Sequence, residues 1–410
     1  MLRLRFPPHA SDLMINLLTS LANLLHPHRN LWQPQPFALL ELAWQQSHPH
    51  WAAWIEDLPD AALEGDPRAW LTGAPDDLRQ LDQLIAHTTV APLLSSWQPQ
   101  PLPIHAMRRV PGRKVKQIEG FCNATRAHLR HHRGEIVDWC AGKGHLGRAL
   151  LQQNHLSLLA IDRDAALVQA GQAECDHLGL PARFVCADAL NPATQQHLHA
   201  DQWLTALHAC GDLHVALLRA AADLQVRGLA LAPCCYNLTR AQPIAPLSAL
   251  GRMLDPQLQP SDLDLIHREP IVSGSADRQN SLQEQAWRLG FDLLQRAVLG
   301  VELYRPMPPF PRAWLRGDFG EFCALFGALD RVPLPASLPW GEFERRGWQR
   351  LAQVRRRELI RGLFRPVLEA WLVEDRGQFL RDHGFQVEIG AFCPREVTPR
   401  HRMILAQSQS

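Results

Sequence analysis

The chain has 410 residues and a mass of 46.2 kDa, which at roughly 150 residues per domain corresponds to two or three domains. With 46% hydrophobic and 20% charged residues it is neither fibrous nor mainly disordered. The 42 Lys and Arg residues balance 41 Asp and Glu residues, so bulk charge does not indicate a general nucleic-acid-binding protein.

The first part of the chain, residues 1–104, is predicted to be a helical region. Leucines recur at helical spacing from Leu13 to Leu25, and this stretch is interpreted as an amphipathic helix rather than a signal peptide. No apolar run reaches about 18 residues, so we expect no transmembrane helix and no membrane partner. The nine cysteines are odd in number and none precedes Cys122, which predicts reduced thiols and a cytoplasmic protein.

A basic segment, residues 108–133, comes next. Eight cations in it face only Glu119 and Glu135: Arg108, Arg109, Arg113, Lys114, Lys116, Arg126, Arg130 and Arg133. The segment is either a solvated helix face or a surface that contacts phosphates. We keep both interpretations open.

Residues 105–240 are predicted to form the first part of an α/β core. Short apolar strands alternate with helices there, which indicates a parallel sheet covered on both faces. The predicted strands are 135–140, 156–162, 182–188, 203–210 and 228–235, and the predicted helices are 145–153, 164–178 and 213–225.

The next segment, residues 241–364, is rich in proline and is predicted to be a helical insertion on the acceptor side of the core. It ends in a second basic segment, residues 345–365, which carries eight arginines and one glutamate. At helical spacing Arg346, Arg350 and Arg357 share a face, which is either a solvated helix face or a surface that meets phosphates. Residues 365–410 complete the core, with a helix over 365–383 and strands at 385–392 and 401–408.

The strongest chemical signal is the sequence DWCAGKGHLG, residues 138–147, which runs from an apolar strand into a helix. Glycines let the backbone turn sharply and approach a ligand closely, but such a turn alone fits NAD, FAD or S-adenosylmethionine (SAM). Asp138 favours SAM, because an anion at this place repels a pyrophosphate and complements the amino group and sulfonium of SAM, directly or through water.

Two further acids support a SAM site. Asp162 ends the second strand, where a carboxylate can accept hydrogen bonds from both ribose hydroxyls, and Asp188 ends the third strand, where it can accept from the adenine amino group. Asp164 is expected only to cap the next helix. The predicted cofactor-binding residues are Asp138, Cys140, Ala141, Gly142, Lys143, Gly144, His145, Asp162 and Asp188.

Two segments follow the fourth and fifth strands, where ligands of open α/β sheets bind. Their candidate catalytic residues are His208, Cys210, Asp212, Cys234, Cys235, Tyr236 and Asn237. The favoured hypothesis is an acceptor pocket with His208 or Asp212 as proton acceptor. In a second, Cys210 or Cys234 attacks a pyrimidine ring covalently. In a third, three of the cysteines and His208 bind a metal; we predict no metal, because adjacent cysteines make a poor chelate and no CxxC pair exists.

The segments DWCAGKGHLGRAL, LHACGDL and APCCYN, in this order, resemble a methyltransferase domain. It is the domain shared by the glutathione S-transferase C-terminal-domain-containing protein, the methyltransferase-like 25 proteins and a tRNA acceptor-stem 2′-O-methyltransferase group. GRKVKQIEGF (112–121) and TPRHRMILA (398–406) resemble their flanking segments. The tRNA-modifying group carries N-terminal zinc-binding modules, which this chain lacks, since no cysteine precedes Cys122.

The resemblance implies a class I, Rossmann-like SAM-dependent methyltransferase: a seven-stranded, mostly parallel sheet whose last strand is antiparallel. It places Asp138, Gly142, Lys143, Gly144 and His145 on the SAM turn, His208, Cys210 and Gly211 on the fourth-strand motif, and Cys234, Cys235 and Tyr236 on the fifth. RNA is the favoured acceptor, through segments 108–133 and 345–365, ahead of protein and small molecules. A SAM-binding scaffold without catalysis is the remaining alternative.

Overall fold

The computed structural model describes residues 10–64, 68–89, 91–95, 102, 110–153, 156–241, 244–267, 275–335 and 337–409. Arg108 and Arg109 of the first basic segment lie outside these ranges. Within them, no helix combines the length and the apolar character needed to cross a membrane. All nine cysteines carry free thiols.

Strands and helices alternate through the chain. The strands are β1 (Glu135–Trp139), β2 (Ser157–Asp162), β3 (Ala182–Cys186), β4 (Trp203–Cys210), β5 (Gly228–Cys234), β6 (Phe385–Ala391) and β7 (Arg402–Ser408). The α-helices of the described residues are α1 (Ala10–Leu25), α2 (Arg29–Trp32), α3 (Ala43–Ser47), α4 (Pro49–Glu56), α5 (Asp76–Thr88), α6 (Gly112–Leu129), α7 (His145–Gln153), α8 (Ala165–His177), α9 (Asp212–Leu224), α10 (Ala249–Met253), α11 (Pro260–His267), α12 (Ser275–Leu299), α13 (Phe319–Asp330), α14 (Trp340–Leu363) and α15 (Arg365–Asp382).

The chain divides into two compact units. Unit 1 comprises Met1–His26, His87–Glu269 and Pro366–Ser410, and unit 2 comprises Pro27–Ala86 and Pro270–Arg365. Part of the predicted N-terminal region therefore packs with the predicted insertion in unit 2, whereas α1 belongs to unit 1.

Unit 1 contains one seven-stranded sheet with the order β3-β2-β1-β4-β5-β7-β6. Strands β1 to β5 pair in parallel, and β7 runs antiparallel between β5 and β6. Buried apolar residues line β1, β2, β4 and β5, because helices cover both faces of a parallel sheet. The predicted class I, Rossmann-like fold is confirmed, and each strand ends within two residues of its predicted bounds.

The parallel order sets the position of the functional residues. The chain leaves β1, β2, β4 and β5 at the same edge of the sheet, so the segments that follow these strands meet there. Asp164 caps α8 as predicted: its Oδ1 accepts hydrogen bonds from the N–H groups of Ala166 and Leu167 at 2.9 and 3.2 Å. This cap fixes the turn between β2 and α8 beside that edge.

In unit 2, helices α12, α13 and α14 surround an aromatic core that includes Phe291, Phe319, Phe322 and Phe326. The three arginines that share a face of α14 by helical spacing differ in exposure. Arg346 is exposed, but Arg350 and Arg357 are only 5% and 8% exposed, so they do not form an exposed basic face with it.

These arginines instead bind backbone carbonyls of the preceding helical region. Arg350 Nη2 donates to the carbonyl oxygens of Pro36, at 2.7 Å, and Leu39. Arg357 Nη1 donates to the carbonyl oxygen of Leu40 at 2.8 Å. A guanidinium has five N–H donors, so it can satisfy several carbonyls of the loop between α2 and α3. Much of the second basic segment is therefore structural.

Candidate functional site

The turn between β1 and α7 is built around two glycines with positive φ. Gly142 has a φ of +56°, and a side chain added there would enter open space. Gly144 has a φ of +67°, and its Cβ would come within 2.5 Å of the Phe184 ring. The first glycine therefore leaves room for a ligand at the backbone, and the second lets the turn pack on β3.

Asp162 joins this turn to the end of β2. The backbone N–H of Gly142 donates to its Oδ2 at 2.7 Å, and the N–H of Asp164 donates to its Oδ1 at 3.0 Å. A carboxylate has about four acceptor positions, so at least two remain for a ligand. The position at the strand end is the one predicted for a ribose-binding acid.

Asp138 lies beneath the turn and not on a ligand-facing wall. It is 2% exposed, and its Oδ2 accepts a 2.9 Å hydrogen bond from the N–H of Gly147. Burial raises the pKa of its carboxyl to about 7, against the lowering effects of the Gly147 hydrogen bond and of Lys114 and Arg148. The structure therefore gives Asp138 a role in holding the first turn of α7, and direct contact with a cofactor stays a prediction.

A cavity of about 570 Å³ opens at the carboxyl ends of the strands. We call it the strand-end cavity. Its lining residues are Cys140, Asp162, Arg163, Asp188, Ala189, Leu190, Cys210, Asp212, Leu213, Asn237, Leu238, Thr239 and Arg240. Its volume falls in the range of small-molecule sites, roughly 300–1,000 Å³. Six predicted site residues thus meet around one cavity, three from the cofactor set and three from the acceptor set.

The other predicted cofactor residues surround the turn without lining this cavity. Lys143 is exposed, and its carbonyl accepts a hydrogen bond from Arg148 at 2.9 Å. His145 Nδ1 lies 2.7 Å from Arg148 Nη2. Burial, followed by the charges of Arg148, Lys114 and Lys143, lowers the pKa of His145 to about 4. The Ala141 N–H donates to Ile161 and ties the turn to β2.

Three non-glycine residues at the strand ends have left-handed backbone: Cys140, His208 and Cys235, with φ of 59°, 71° and 45°. Such conformations cost of order 1–3 kcal/mol each and cluster at functional sites. His208 lies in an irregularity of β4, where the register with β5 shifts between Leu207 and Cys210. Bulges of this kind re-aim side chains next to active sites.

The predicted acceptor residues divide into three groups. Cys210, Asp212 and Asn237 line the strand-end cavity. His208 instead directs its Nε2 to Gln117 Oε1 of α6, at 2.7 Å, and burial lowers its pKa. Asp212 is therefore better placed than His208 to face a ligand.

The third group is Cys234, Cys235 and Tyr236. The thiols of Cys210, Cys234 and Cys235 all lie within 4.8 Å of one another. Tyr236 is 2% exposed, and burial raises the pKa of its hydroxyl well above the usual value. Its ring packs against His214, with centroids 5.7 Å apart, and under the Arg376 guanidinium.

A second cavity, of about 440 Å³, adjoins the first and shares Leu190, Asp212, Thr239 and Arg240 with it. We call it the inner cavity. Its other lining includes the apolar residues Val215, Ala216, Ile244, Ala245, Pro246, Leu247, Leu258, Leu263, Trp371 and Leu372, and the charged residues Arg219, Asp255, Asp375 and Arg376. This cavity was not predicted from the sequence.

Part of the lining of the strand-end cavity was also not predicted from the sequence. The segment after β5 supplies Leu238, Thr239 and Arg240, and the residue after Asp162 supplies Arg163. The N–H of Arg240 donates to Asp212 Oδ2 at 2.8 Å, so this segment folds back over the start of α9. Their place in the sequence was the one feature that could have indicated them, because each follows a predicted site residue directly or within a few positions.

Part of the chain is similar to a known protein family. Residues 113–242 match a protein family described as "Methyltransferase domain". This match covers β1 to β5 and the lining of the strand-end cavity, so this part of the chain is similar to a methyltransferase domain. The narrower resemblance to the three groups named above stays a prediction.

Solved structures similar to this chain include an O-methyltransferase family protein from Burkholderia thailandensis, with 11% identity over 99% of each chain and a TM-score of 0.28. The plantazolicin methyltransferase BpumL, solved with SAH, is 14% identical over 54% of this chain and 75% of its own, with a TM-score of 0.24. The O-methyltransferase NcsB1 from neocarzinostatin biosynthesis, solved with SAM, is 17% identical over 47% of this chain and 80% of its own, with a TM-score of 0.21. These values are too low to indicate a substrate.

Proposed function

We propose that this protein is a SAM-dependent methyltransferase that binds its methyl donor in the strand-end cavity. The observation that carries the proposal is the bond between Gly142 and Asp162: a positive-φ glycine with open space beside it is held by a strand-end carboxylate that has acceptor positions to spare. The family match over residues 113–242 supports the same activity.

The lining residues fit such a donor. We expect Asp162 to accept hydrogen bonds from the ribose hydroxyls. Asp188 uses Oδ1 to accept from the Leu190 N–H at 2.9 Å, and we expect its Oδ2 to accept from the adenine amino group. Three carboxylates, those of Asp162, Asp188 and Asp212, line the cavity together with two guanidinium groups. A sulfonium cation is stabilised by this surplus of acidic groups.

The donor supplies an electrophilic methyl group, and the protein positions the acceptor for direct displacement. As the new bond to the acceptor forms, the bond from carbon to the donor sulfur breaks, and the acceptor gives up a proton. Asp212 is the proposed proton acceptor, because it lines both cavities while the His208 imidazole is bonded to Gln117. Cys210 borders the same space and shapes the acceptor position.

RNA is the first proposed acceptor, now supported by α6 alone. Arg113, Lys114 and Lys116 at its start are exposed, and Arg130 and Arg133 are exposed after its end. Lys114 contributes, after burial, to the pKa shift of His208, so this charge acts close to the site. A phosphate backbone bound along α6 would reach the strand ends of unit 1.

A small molecule with an apolar body is the second candidate acceptor. The inner cavity favours it, because a pocket of about 440 Å³ with many apolar lining residues, next to the strand-end cavity, suits an apolar molecular body better than an RNA backbone. The buried Tyr236 and Trp371 rings form part of its wall. Such a molecule would place its reactive atom at Asp212, where the two cavities meet.

The test is transfer of a tritiated methyl group from SAM into fractionated cell extract. Label in the RNA fraction supports the first acceptor, and label in a small organic molecule supports the second. Label in protein selects protein methylation. Binding of SAM without any labelled product would support a non-catalytic scaffold and contradict the proposed activity. The Asp162→Ala variant, which we expect to label poorly, is the matched control for contaminating enzymes.

A further inference from the structure

Three cysteine thiols converge at the ends of β4 and β5. The Sγ atoms of Cys210, Cys234 and Cys235 all lie within 4.8 Å of one another, and those of Cys210 and Cys234 are 3.4 Å apart. We call this group the thiol triad. It lies within unit 1, and Cys210 also borders the strand-end cavity.

The convergence of adjacent cysteines needs an explanation, because successive side chains of a strand point to opposite faces. By that rule Cys234 and Cys235 should point apart. The prediction of no metal rested on the poor chelate that adjacent cysteines make and on the absence of a CxxC pair. In the structure β5 ends at Cys234, and Cys235 has left-handed backbone with a φ of 45°. This conformation brings its thiol to the side of its neighbour, so the first of these two reasons does not hold here.

A second backbone irregularity brings the third thiol into place. The register of β4 with β5 shifts between Leu207 and Cys210, which makes Cys210 the direct partner of Cys234 across the two strands. The intervening His208 has a φ of 71°. Two strained residues thus position the triad, and strain of order 1–3 kcal/mol at each is retained where function requires it.

We propose that the thiol triad binds a thiophilic divalent metal ion, with Zn²⁺ as the ion that its ligands suit best. Zinc binds thiolates at about 2.3 Å, which in a tetrahedral site separates the sulfur atoms by roughly 3.8 Å. The spacing of the triad requires only small movements to reach that geometry. Packing alone is a weaker explanation, because small buried cysteines do not require left-handed backbone at two positions.

Three protein ligands leave a tetrahedral ion with one further position. Catalytic zinc sites keep such a position open for water or substrate, whereas structural sites close it with a fourth ligand. Because Cys210 borders the strand-end cavity, the proposed ion would lie at the edge of the cavity assigned to the methyl donor, beside the acceptor position that Cys210 shapes. The proposed metal site does not depend on the proposed methyl transfer. Its test measures metal binding and does not require methyltransferase activity.

The test is metal binding by the purified full-length chain after reduction and removal of bound metal. Co²⁺ is the optical probe and Zn²⁺ the competitor. We expect one Co²⁺ per chain, with thiolate-to-cobalt charge-transfer absorption that an equivalent of Zn²⁺ abolishes. Cys234→Ala and Cys235→Ala should each lower the affinity at least tenfold. Cys393→Ala removes a buried thiol outside the triad and should bind as the unchanged chain does.

A second measurement uses the unchanged chain, because a cysteine variant could lose metal binding simply by misfolding. In the unchanged chain, Zn²⁺ should protect the partly exposed Cys210 and Cys235 from alkylation, as mapped by mass spectrometry, while the exposed Cys186 stays reactive. Alkylation of Cys210 and Cys235 at the same rate with and without Zn²⁺, together with no cobalt absorption, would overturn the proposal. The isolated protein could instead contain a Cys210–Cys234 disulfide. If the chain still binds no cobalt after this disulfide is reduced, the proposal is also overturned.

Discussion

Asp138 Oδ2 accepts a hydrogen bond from the N–H of Gly147 at 2.9 Å, across the turn that joins β1 to α7. The carboxyl is 2% exposed, and burial raises its pKa from 3.8 to about 7. Because the folded pKa lies above the unfolded one, the stability that Asp138 contributes is complete below pH 4. It is lost as the pH rises to about 7, where the buried carboxyl ionises.

Asp138→Asn should remove this pH dependence and keep an acceptor for the Gly147 N–H. The free energy of unfolding of the variant, relative to the unchanged chain, should rise between pH 4 and pH 7 by up to about 4 kcal/mol, at 1.36 kcal/mol per pKa unit. Urea unfolding at a series of pH values measures it. Two parallel curves would show that the pKa of Asp138 is not raised.

The two glycines of the turn should respond differently to alanine. Both substitutions strain the left-handed backbone by roughly 1–2 kcal/mol. Gly144→Ala also brings a Cβ to within 2.5 Å of Phe184, so it should lose about 1–3 kcal/mol more. Gly142→Ala meets no neighbour but fills the open space beside the turn, so it should be the milder change for stability while weakening SAM binding. Equal losses of stability would contradict this difference.

Arg350 should be a stability residue. Its guanidinium is buried and donates to the carbonyls of Pro36 and Leu39, so Arg350→Ala leaves buried acceptors unpaired and should cost about 2–4 kcal/mol. Arg346→Ala, at an exposed position of the same helix, should change the free energy of unfolding by less than about 1 kcal/mol. Thermal and urea unfolding compare the two variants, and similar losses would refute the structural role.

If RNA is the acceptor, exposed cations of α6 should set its salt dependence. Charge reversal at Arg113 and Lys116 removes two cations, so RNA affinity should fall and the slope of log affinity against log salt should flatten by roughly 1.4–1.8. The matched control reverses Arg345 and Arg346, exposed on α14 of unit 2. Filter binding over a range of salt concentrations measures both. RNA binding that is unchanged by the α6 variant would favour the small-molecule acceptor.

The sheet could be predicted from the sequence because its signals are local. Apolar runs bounded by turn residues define the strands, and α7 begins and ends at the predicted residues His145 and Gln153. Acids that directly follow strands could likewise be placed at one sheet edge, and Asp162 and Asp188 line the cavity there.

The parts that could not be predicted depend on tertiary contacts. Helical spacing placed Arg346, Arg350 and Arg357 on one face, but spacing does not say which face is buried. The segments that cover Arg350 and Arg357 lie about 300 residues earlier in the chain, at Pro36 and Leu40. The positive φ of His208 and Cys235 could not be predicted either, because that backbone conformation is uncommon for residues other than glycine.

The central claim is that the strand-end cavity binds SAM through the Gly142 turn and Asp162, and titration calorimetry with SAM tests it most directly. The unchanged chain should bind one SAM. Asp162→Ala should bind at least about tenfold more weakly, because it loses a charged acceptor and the bond that holds Gly142. Asp164→Ala, which removes only the cap of α8, should lower stability by about 1 kcal/mol and leave SAM affinity unchanged. Equal SAM affinity in the unchanged chain and in Asp162→Ala, or binding of NADH in place of SAM, would contradict the account.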